Sequence, residues 1–517
     1  MISLMKNLQK KLRNYYKNNK QEIFFLGLIF FVGFVLRYLS ISENKIIFDY
    51  DQYEDLYHTK KIIDGDLTII GRPIYGNPNF HHGIVYFYYN VIPYFLFHLN
   101  PKAIILWNGF FNSFTAVGLY FFSKSLFNNK IAAYISSLVF AVSFEVIIFS
   151  SWISSTAITL ITVPIVMFSF WQFLSGKKWG LPFTLFFLGI SIQAELFFIY
   201  LIPILFALWV IFDRKIPEIK LLFWAGSSFL IAISTLILTE IKLNFAGVKT
   251  LIHFNQVFDD SQIVFADRVR LFLNDFWKKF IYADMAIYIG PLIFLTGIYF
   301  LINPKTKDKE KRALLFLMIY LLSPVVMLLF GYHKQPWFLI GMLPAAILLI
   351  GYSLSKLKKL TPLMLGILLL IVFVNVRSVW QMKNEGPTIF KTEPSMILDS
   401  QLAVVAYTYD KAGGEKFDIN AVTYPLYHNA LWEYHYKWFG EQKYGYLPGF
   451  LGGEQLSLYK FLPTADESNK KYFLIADTTY RIPELYRVKG YEWASERGNL
   501  IEQKEIGGFI VQYFERK

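Results

Sequence analysis

The sequence predicts an all-α polytopic membrane protein of about eleven transmembrane helices with a small C-terminal α/β domain. Three observations predict it. The 517 residues are 55% hydrophobic and only 17% charged, with a mean hydropathy of +0.39, too apolar for a soluble chain of this length. Segment after segment reaches the roughly 17–25 apolar residues that carry a helix across a bilayer. The last stretch, 378–517, contains no such segment. The net charge of +13 sits largely in the N-terminal tail and in short loops between apolar segments, so it speaks to membrane topology and not to nucleic acid. With no cysteine, the chain excludes disulfides, thiolate catalysis and cysteine-ligated zinc.

Residues 1–21, including "MKNLQKKLRNYYKNNK", read as a basic cytoplasmic tail. The following "EIFFLGLIFFVGFVLRYLSI" is too long for the core of a signal peptide and lacks a small-residue cleavage site. It reads as an uncleaved first helix near 22–41. A membrane domain over 22–377 then carries two external loops, 42–83 and 241–285. Further spans are expected near 84–99, 103–123, 131–150, 155–174, 181–212, 220–240, 286–302, 313–330, 337–354 and 361–377. An odd count puts the 378–517 domain on the extracytoplasmic side of the cell membrane. "NPKTKDKEKR", "SKLKK" and "DRKIPEIK" then fall inside, as positive loops should. "SKSLFNNK" and "SGKKWG" fall outside, against the rule. A tight hairpin in 181–212 would move "SGKKWG" inward but break the parity elsewhere. In the C-terminal part "KFDINAVTY" and "KYFLIADTTY" read as strands, and "YHNALWEYHYKWFG" as a helix ended by glycine. No internal repeat is present.

The first loop concentrates acid in "FDYDQYEDLYHTKK". Asp51 and Asp55 are four apart and share a helical face, with His58 one turn on. Tyr53, Leu56, Tyr57 and Ile63 make an apolar face, which suits a short helix at the membrane surface. The plain reading is a solvated polar loop. Asp49-Tyr50-Asp51 has the D-x-D form by which soluble sugar transferases hold a metal, without the nucleotide-binding fold those enzymes need. No cofactor is required, and a divalent metal is possible but not indicated.

The run "FDYDQYEDLYHTKKIIDGDLTIIGRPIYGNPNFHHGIVYFYYNVIPYF" resembles the first external loop of the polyprenyl-phosphate-dependent glycosyltransferases of the GT-C class. It is most similar to the protein O-mannosyltransferases and the lipid A aminoarabinose transferases. Those families carry an Asp-Glu pair here, as F-D-E or D-E-x-R-Y, and then H-P-P or K-P-P at the second helix. Phe48-Asp49 resembles F-D, and Asp51-Gln52-Tyr53 resembles D-E-x, with Asp51 the favoured match and Gln52 in place of the glutamate. His81-His82-Gly83 stands where H-P-P or K-P-P would be, without the prolines. In "GYHKQPWFLIGMLPAAILLIG", His333 and Lys334 resemble the basic residues of a short external loop that precedes an L-P-A helix. A lysine close to a tryptophan also suits an interfacial anchor, the commoner role for such a pair.

The resemblance implies inverting transfer of a sugar from a polyprenyl-phosphate donor to an acceptor hydroxyl on a lipid, glycan or protein. The chemistry needs a carboxylate for the acceptor proton, cations for the departing phosphate, and an apolar groove for the lipid. Asp51 is the expected general base, with Asp49 the alternative register and Asp55 in support. Gln52, Lys60, Lys61, Arg72, His81, His82, His333, Lys334 and Glu195 are the substrate-binding candidates. Glu145 and Glu195 are acids within apolar segments, where a charge is costly. Gln193, His98, Asn108 and Asn112 suit inter-helix hydrogen bonds, and His428 and His435 a surface helix. Rival classes are a lipid-linked glycan polymerase or ligase, a transporter, and a non-catalytic sensor. The absence of a repeat and the lopsided first loop fit transport poorly.

Overall fold

The computed structural model describes residues 19–74, 77–97, 100–252, 264–280, 286–330, 335–389, 391–426, 429–452 and 462–517. Two bodies are joined end to end: a helical membrane domain and a C-terminal α/β domain.

Helix α1 (Lys20–Ser40) is followed by α2 (Tyr50–Ile63), a hairpin of β1 (Pro73–Ile74) and β2 (Asn77–His81), and α3 (Val85–Leu96). Then come α4 (Pro101–Phe127), α5 (Lys130–Val142), α6 (Phe144–Ser150) and α7 (Thr156–Leu174). Local chemistry sets these boundaries. The Asn100 side chain accepts the Lys102 N–H at 3.0 Å, and Pro101 opens α4. Asn128 closes α4 in the left-handed conformation, and Asn129 caps α5. At Ser143 the chain bends by 47° between α5 and α6. The freed Phe144 N–H is taken up by Asn375 Oδ1 at 2.7 Å.

The chain continues through α8 (Gly180–Ala194), a short 3₁₀ turn and α9 (Leu201–Phe212), then α10 (Ile219–Ala232) and α11 (Ser234–Lys242), which meet at 58°. Next are α12 (Ala246–Ile252), α13 (Phe265–Lys278), α14 (Ala286–Ile302), α15 (Asp308–Leu321), α16 (Leu343–Lys356) and α17 (Thr361–Glu385). Among the described residues five helical stretches are long and apolar enough to cross a membrane, or seven if each bent pair is one span. Shorter apolar helices lie at 180–194, 196–212 and 288–302.

Two of the expected spans are corrected. The 84–99 segment yields only the 12 residues of α3, which contain Pro93. Such a helix rises about 18 Å, well short of a hydrocarbon core of roughly 30 Å. Lys102, just past it, donates to the Ser42 carbonyl at 3.3 Å, so α3 begins and ends near the first loop. The 181–212 segment breaks at Glu195, whose backbone is extended. Arg312 stacks on Phe212 at 5.3 Å and donates to the Leu174 carbonyl at 2.7 Å, which brings both ends of 174–212 together. This is the hairpin.

With those two changes the basic loops gather at one end. Glu22 binds Lys124 at 3.0 Å and Lys130 at 3.2 Å. Asn129 binds Ser355, Lys356 binds Glu310, and Lys178 binds Glu218. "SKSLFNNK" and "SGKKWG" therefore sit beside "KDKEKR" and "SKLKK", at the end where α1 begins. The first loop, the Glu195 break and the C-terminal domain share the opposite end. There Ser40 meets Ser151 at 2.9 Å, Gly83 N–H reaches the Gln193 carbonyl at 3.0 Å, and Thr239 reaches the Ile69 carbonyl at 2.6 Å.

The C-terminal domain contains α18 (Leu398–Ala412), β3 (Phe417–Val422), α19 (Ala430–His435), β4 (Gly449–Phe450), β5 (Lys471–Asp477), α20 (Glu484–Arg497), β6 (Gly498–Ile506) and β7 (Phe509–Arg516). The sheet order is β4-β3-β5-β7-β6, with β3 parallel to β4 and β5, and β7 antiparallel to β5 and β6. β3 and β5 are the two strands legible in the sequence, and both are almost wholly buried. The β6–β7 hairpin, turned by Gly507 and Gly508 at positive φ, was not anticipated.

Candidate active site

Helix α2 is where the acidic loop folds. Asp49 precedes it, and Gln52 Oε1 accepts the Asp49 N–H at 3.0 Å. Gln52 Nε2 donates to the Ile153 carbonyl at 3.3 Å, so this buried amide ties α2 to the segment before α7. That is a structural task, in place of the substrate contact expected. Tyr53 and Leu56 are buried as the periodicity requires, yet not in a membrane surface. They pack within a cluster shared with α3 and α19, where Tyr53 meets Tyr434 edge-on at 6.2 Å.

Asp51 and Asp55 share one face, and Arg72 lies over it. Arg72 Nη1 is 3.4 Å from Asp51 Oδ1, and Arg72 Nε is 4.0 Å from Asp55 Oδ1. Asp51 is exposed, while Asp55 is almost completely buried. Burial pushes the Asp55 carboxyl up to about 7, against the pull of the Arg72 cation. The Arg72 guanidinium is held above its ordinary range by Asp55, Asp51 and Glu54, which outweigh its burial. Asp55 Oδ2 has no hydrogen-bond partner among the described residues.

A narrow cleft is lined by Asp55, Arg72, His82, Gly83, Tyr86, Phe87 and Ser155. The β1–β2 hairpin closes it: His82 N–H donates to the Arg72 carbonyl at 2.9 Å. A Cβ on Gly83 would lie 2.5 Å from the Gln193 carbonyl oxygen, so only glycine allows the loop to touch the α8 break. Behind the lining residue Ser155, Glu195 Oε1 accepts from Ser155 Oγ at 2.9 Å and from Thr156 Oγ1 at 2.7 Å. Gln193 beside it bonds to the Ala232 carbonyl and accepts from Thr235 at 2.9 Å, bracing one helix break with another. Burial and the Arg72 charge lower the His82 imidazole to about 3. Burial, Lys61 and Arg72 lower His58, stacked on Phe87 at 4.8 Å, to about 4. Both rings are neutral at pH 7, so neither supplies a cation.

The other candidates are dispersed. Asp49 Oδ2 receives Arg481 Nη2 at 2.6 Å, a contact from the C-terminal domain. The two carboxylates of the D-x-D run thus meet different arginines. Lys60 and Lys61 form ion pairs with Asp64 and Asp66 at the other end of α2. His81, at the end of β2, does not line the cleft. Glu145 is paired with Lys279 at 2.8 Å, both buried, which anchors the end of α13 to α6. Asn112 donates to the Asn108 and Ala157 carbonyls, within the bundle. His435 is buried against Gln401 at 2.7 Å and is not on a surface. His98, His333, Lys334 and His428 lie outside the described residues. Arg481 and Ser155 were not singled out in the sequence. Nothing local marks either, since each joins its carboxylate only through the fold.

Compared with solved structures, the chain is similar to the crystal structure of ArnT from Cupriavidus metallidurans bound to undecaprenyl phosphate. The TM-score is 0.59 at 10% identity, over 96% of this chain and 98% of that one. The chain has the ArnT-like GT-C fold. A second similarity, to the archaeal oligosaccharyltransferase AglB from Archaeoglobus fulgidus in complex with an inhibitory peptide and a dolichol-phosphate, has a TM-score of 0.41. It has 12% identity, covers 96% of this chain and 74% of that one, and is too loose to argue from. No family model and no curated protein matches the sequence. Within the GT-C fold, the Asp51–Arg72–Asp55 cluster occupies the junction of the first loop with the helix bundle.

Proposed function

We propose that this GT-C-fold chain is an integral-membrane glycosyltransferase that moves a sugar from a polyprenyl-phosphate donor to an acceptor hydroxyl at the outer face of the cell membrane. The observation that carries the reading is Arg72 held between Asp51 and Asp55, beside a small cavity that Arg72 and Asp55 line. The undecaprenyl phosphate bound by ArnT supports the donor class. Eleven traverses, counted with 181–212 as a hairpin and without α3, agree with a first loop and a C-terminal domain outside and bring "SKSLFNNK" and "SGKKWG" inside with the other short basic loops.

Asp51 is the carboxylate open to an incoming acceptor. It takes the hydroxyl proton as the acceptor oxygen bonds to the anomeric carbon from the face opposite the phosphate. The bond from that carbon to the phosphate oxygen breaks, and the polyprenyl phosphate leaves with the electron pair, so the configuration inverts. Arg72 faces the charge that develops on the phosphate. Acids outnumber cations around Arg72, and the raised Asp55 carboxyl is only partly ionised near pH 7, which reduces the repulsion of the donor. Lys334 is the second cation in this reading, and the mechanism calls on no cofactor. The acceptor is a lipid, a glycan or a protein hydroxyl.

The test is turnover with polyprenyl-phosphate sugars. Asp51→Asn is expected to lower turnover by about 10²–10⁴ with donor binding intact. Loss of activity in Asp49→Asn alone would move the base by two residues. Normal turnover in both variants would overturn the mechanism.

A further inference from the structure

The C-terminal domain grips the residues that lead into α2. Phe48 N–H donates to the Met396 carbonyl at 2.9 Å, and Leu398 N–H donates to the Ile46 carbonyl at 3.0 Å. Gln401 Nε2 donates to the Phe48 carbonyl at 2.6 Å, and its Oε1 is held by His435 at 2.7 Å. The Phe48 ring is fully buried, stacked on Tyr434 at 5.1 Å and leaning on His435 at 5.2 Å. One residue on, Arg481 binds Asp49 while its guanidinium lies on the Tyr424 ring at 4.1 Å. Arg481 and Asp49 are only 11% and 14% exposed, which separates this contact from the loose ion pairs of a surface.

We propose that the C-terminal domain is a working part of the active centre, in which Arg481 is a positioning residue that fixes Asp49 and, through it, the first turn of α2 that carries Asp51. This rests on the transferase reading for its catalytic consequence, but the brace itself does not. Asp49 caps α2, so its place sets the direction in which the first turn leaves the loop. Asp51 lies two residues further, and among the described residues its anchor is weaker: Arg72 Nη1 reaches its carbonyl at 3.3 Å and its exposed carboxylate at 3.4 Å. The direction of that carboxylate is therefore inherited from Asp49 and Phe48, both held from the far end of the chain. Small displacements of a catalytic group are costly, and about 1 Å can remove two orders of magnitude in rate.

The full-length protein in detergent is compared with Arg481→Met and Arg481→Lys by amide hydrogen exchange and by turnover of a polyprenyl-phosphate sugar. In Arg481→Met, exchange at residues 50–53 is expected to rise about tenfold while the membrane helices keep their protection. Turnover is expected to fall roughly 10–100-fold with donor binding unchanged. Arg481→Lys keeps the charge without the planar fork and is expected to fall between the two. Wild-type exchange at 50–53 in Arg481→Met overturns the brace. Wild-type turnover despite faster exchange overturns the positioning role. If Arg481→Met does not fold, Arg481→Lys decides alone: faster exchange at 50–53 supports the brace, and unchanged exchange overturns it. If the wild type turns over no polyprenyl-phosphate sugar, the transferase reading fails, and the exchange data still decide the brace.

Discussion

Replacing Arg72 with Gln should change how the stability of this protein depends on pH. Arg72 Nε stands 4.0 Å from the buried Asp55 carboxylate. At an effective dielectric constant of about 20, that separation is worth about 4 kcal/mol, or roughly a thousandfold in proton affinity. The exposed Asp51 contact is screened and contributes at most about 1 kcal/mol. Asp55 is already raised from 3.8 to about 7 with Arg72 in place, so removing the cation raises it further. The sign follows from linkage. A carboxyl whose folded value is raised contributes its stability in full below its unfolded value, and that contribution is lost as pH rises through the folded value. In the wild type, the Asp55 share of this loss is complete by about pH 8. In Arg72→Gln the loss continues above that pH. The assay is thermal unfolding in detergent micelles from about pH 5 to 9 for the wild type, Arg72→Gln and Arg72→Gln/Asp55→Asn. The single variant should keep losing Tm above about pH 8, and the double variant should return to the wild-type slope. Parallel slopes for the single variant and the wild type in that range would refute the argument that Arg72 holds the Asp55 charge.

Two further outcomes follow from other contacts. The Lys279–Glu145 pair is buried on both sides, so Lys279→Met should cost about 3–5 kcal/mol by stranding a carboxylate. Lys279→Met/Glu145→Met should recover most of that, as read by Tm in micelles. Residues 44–48 are hydrogen-bonded to 396–399, so single cysteines at Ser42 and Ser468 of this cysteine-free chain should label from the same, outer face of the membrane. Labelling from opposite faces would break the proposed topology.

Whatever depends on neighbours along the chain was legible in the sequence. Composition alone declared a polytopic membrane protein. Helical spacing placed Asp51 and Asp55 on one face of α2, where Arg72 contacts both. β-Branched and aromatic runs marked β3 and β5. Hydropathy could not say whether an apolar run crosses. The 84–99 stretch is as greasy as a span, but Pro93 and a turn leave only 12 helical residues. The 181–212 stretch sums to one long span, although it folds back at Glu195. Gathering the basic loops at one end took both corrections together, and each rests on contacts between segments far apart in the chain.

Charge pairing was decided at the same level. Arg72 meets Asp51 because a hairpin folds back on the bundle, and Glu195 meets Ser155 across two helices. Arg481 meets Asp49 across 432 positions of chain. A charged side chain carries no mark of its distant partner. Coulomb attraction between two such groups is weak in water and becomes selective only after packing has excluded water from both. Local periodicity therefore reveals which groups share a face, whereas the partner that each group meets is chosen by the packing of elements far apart in the chain.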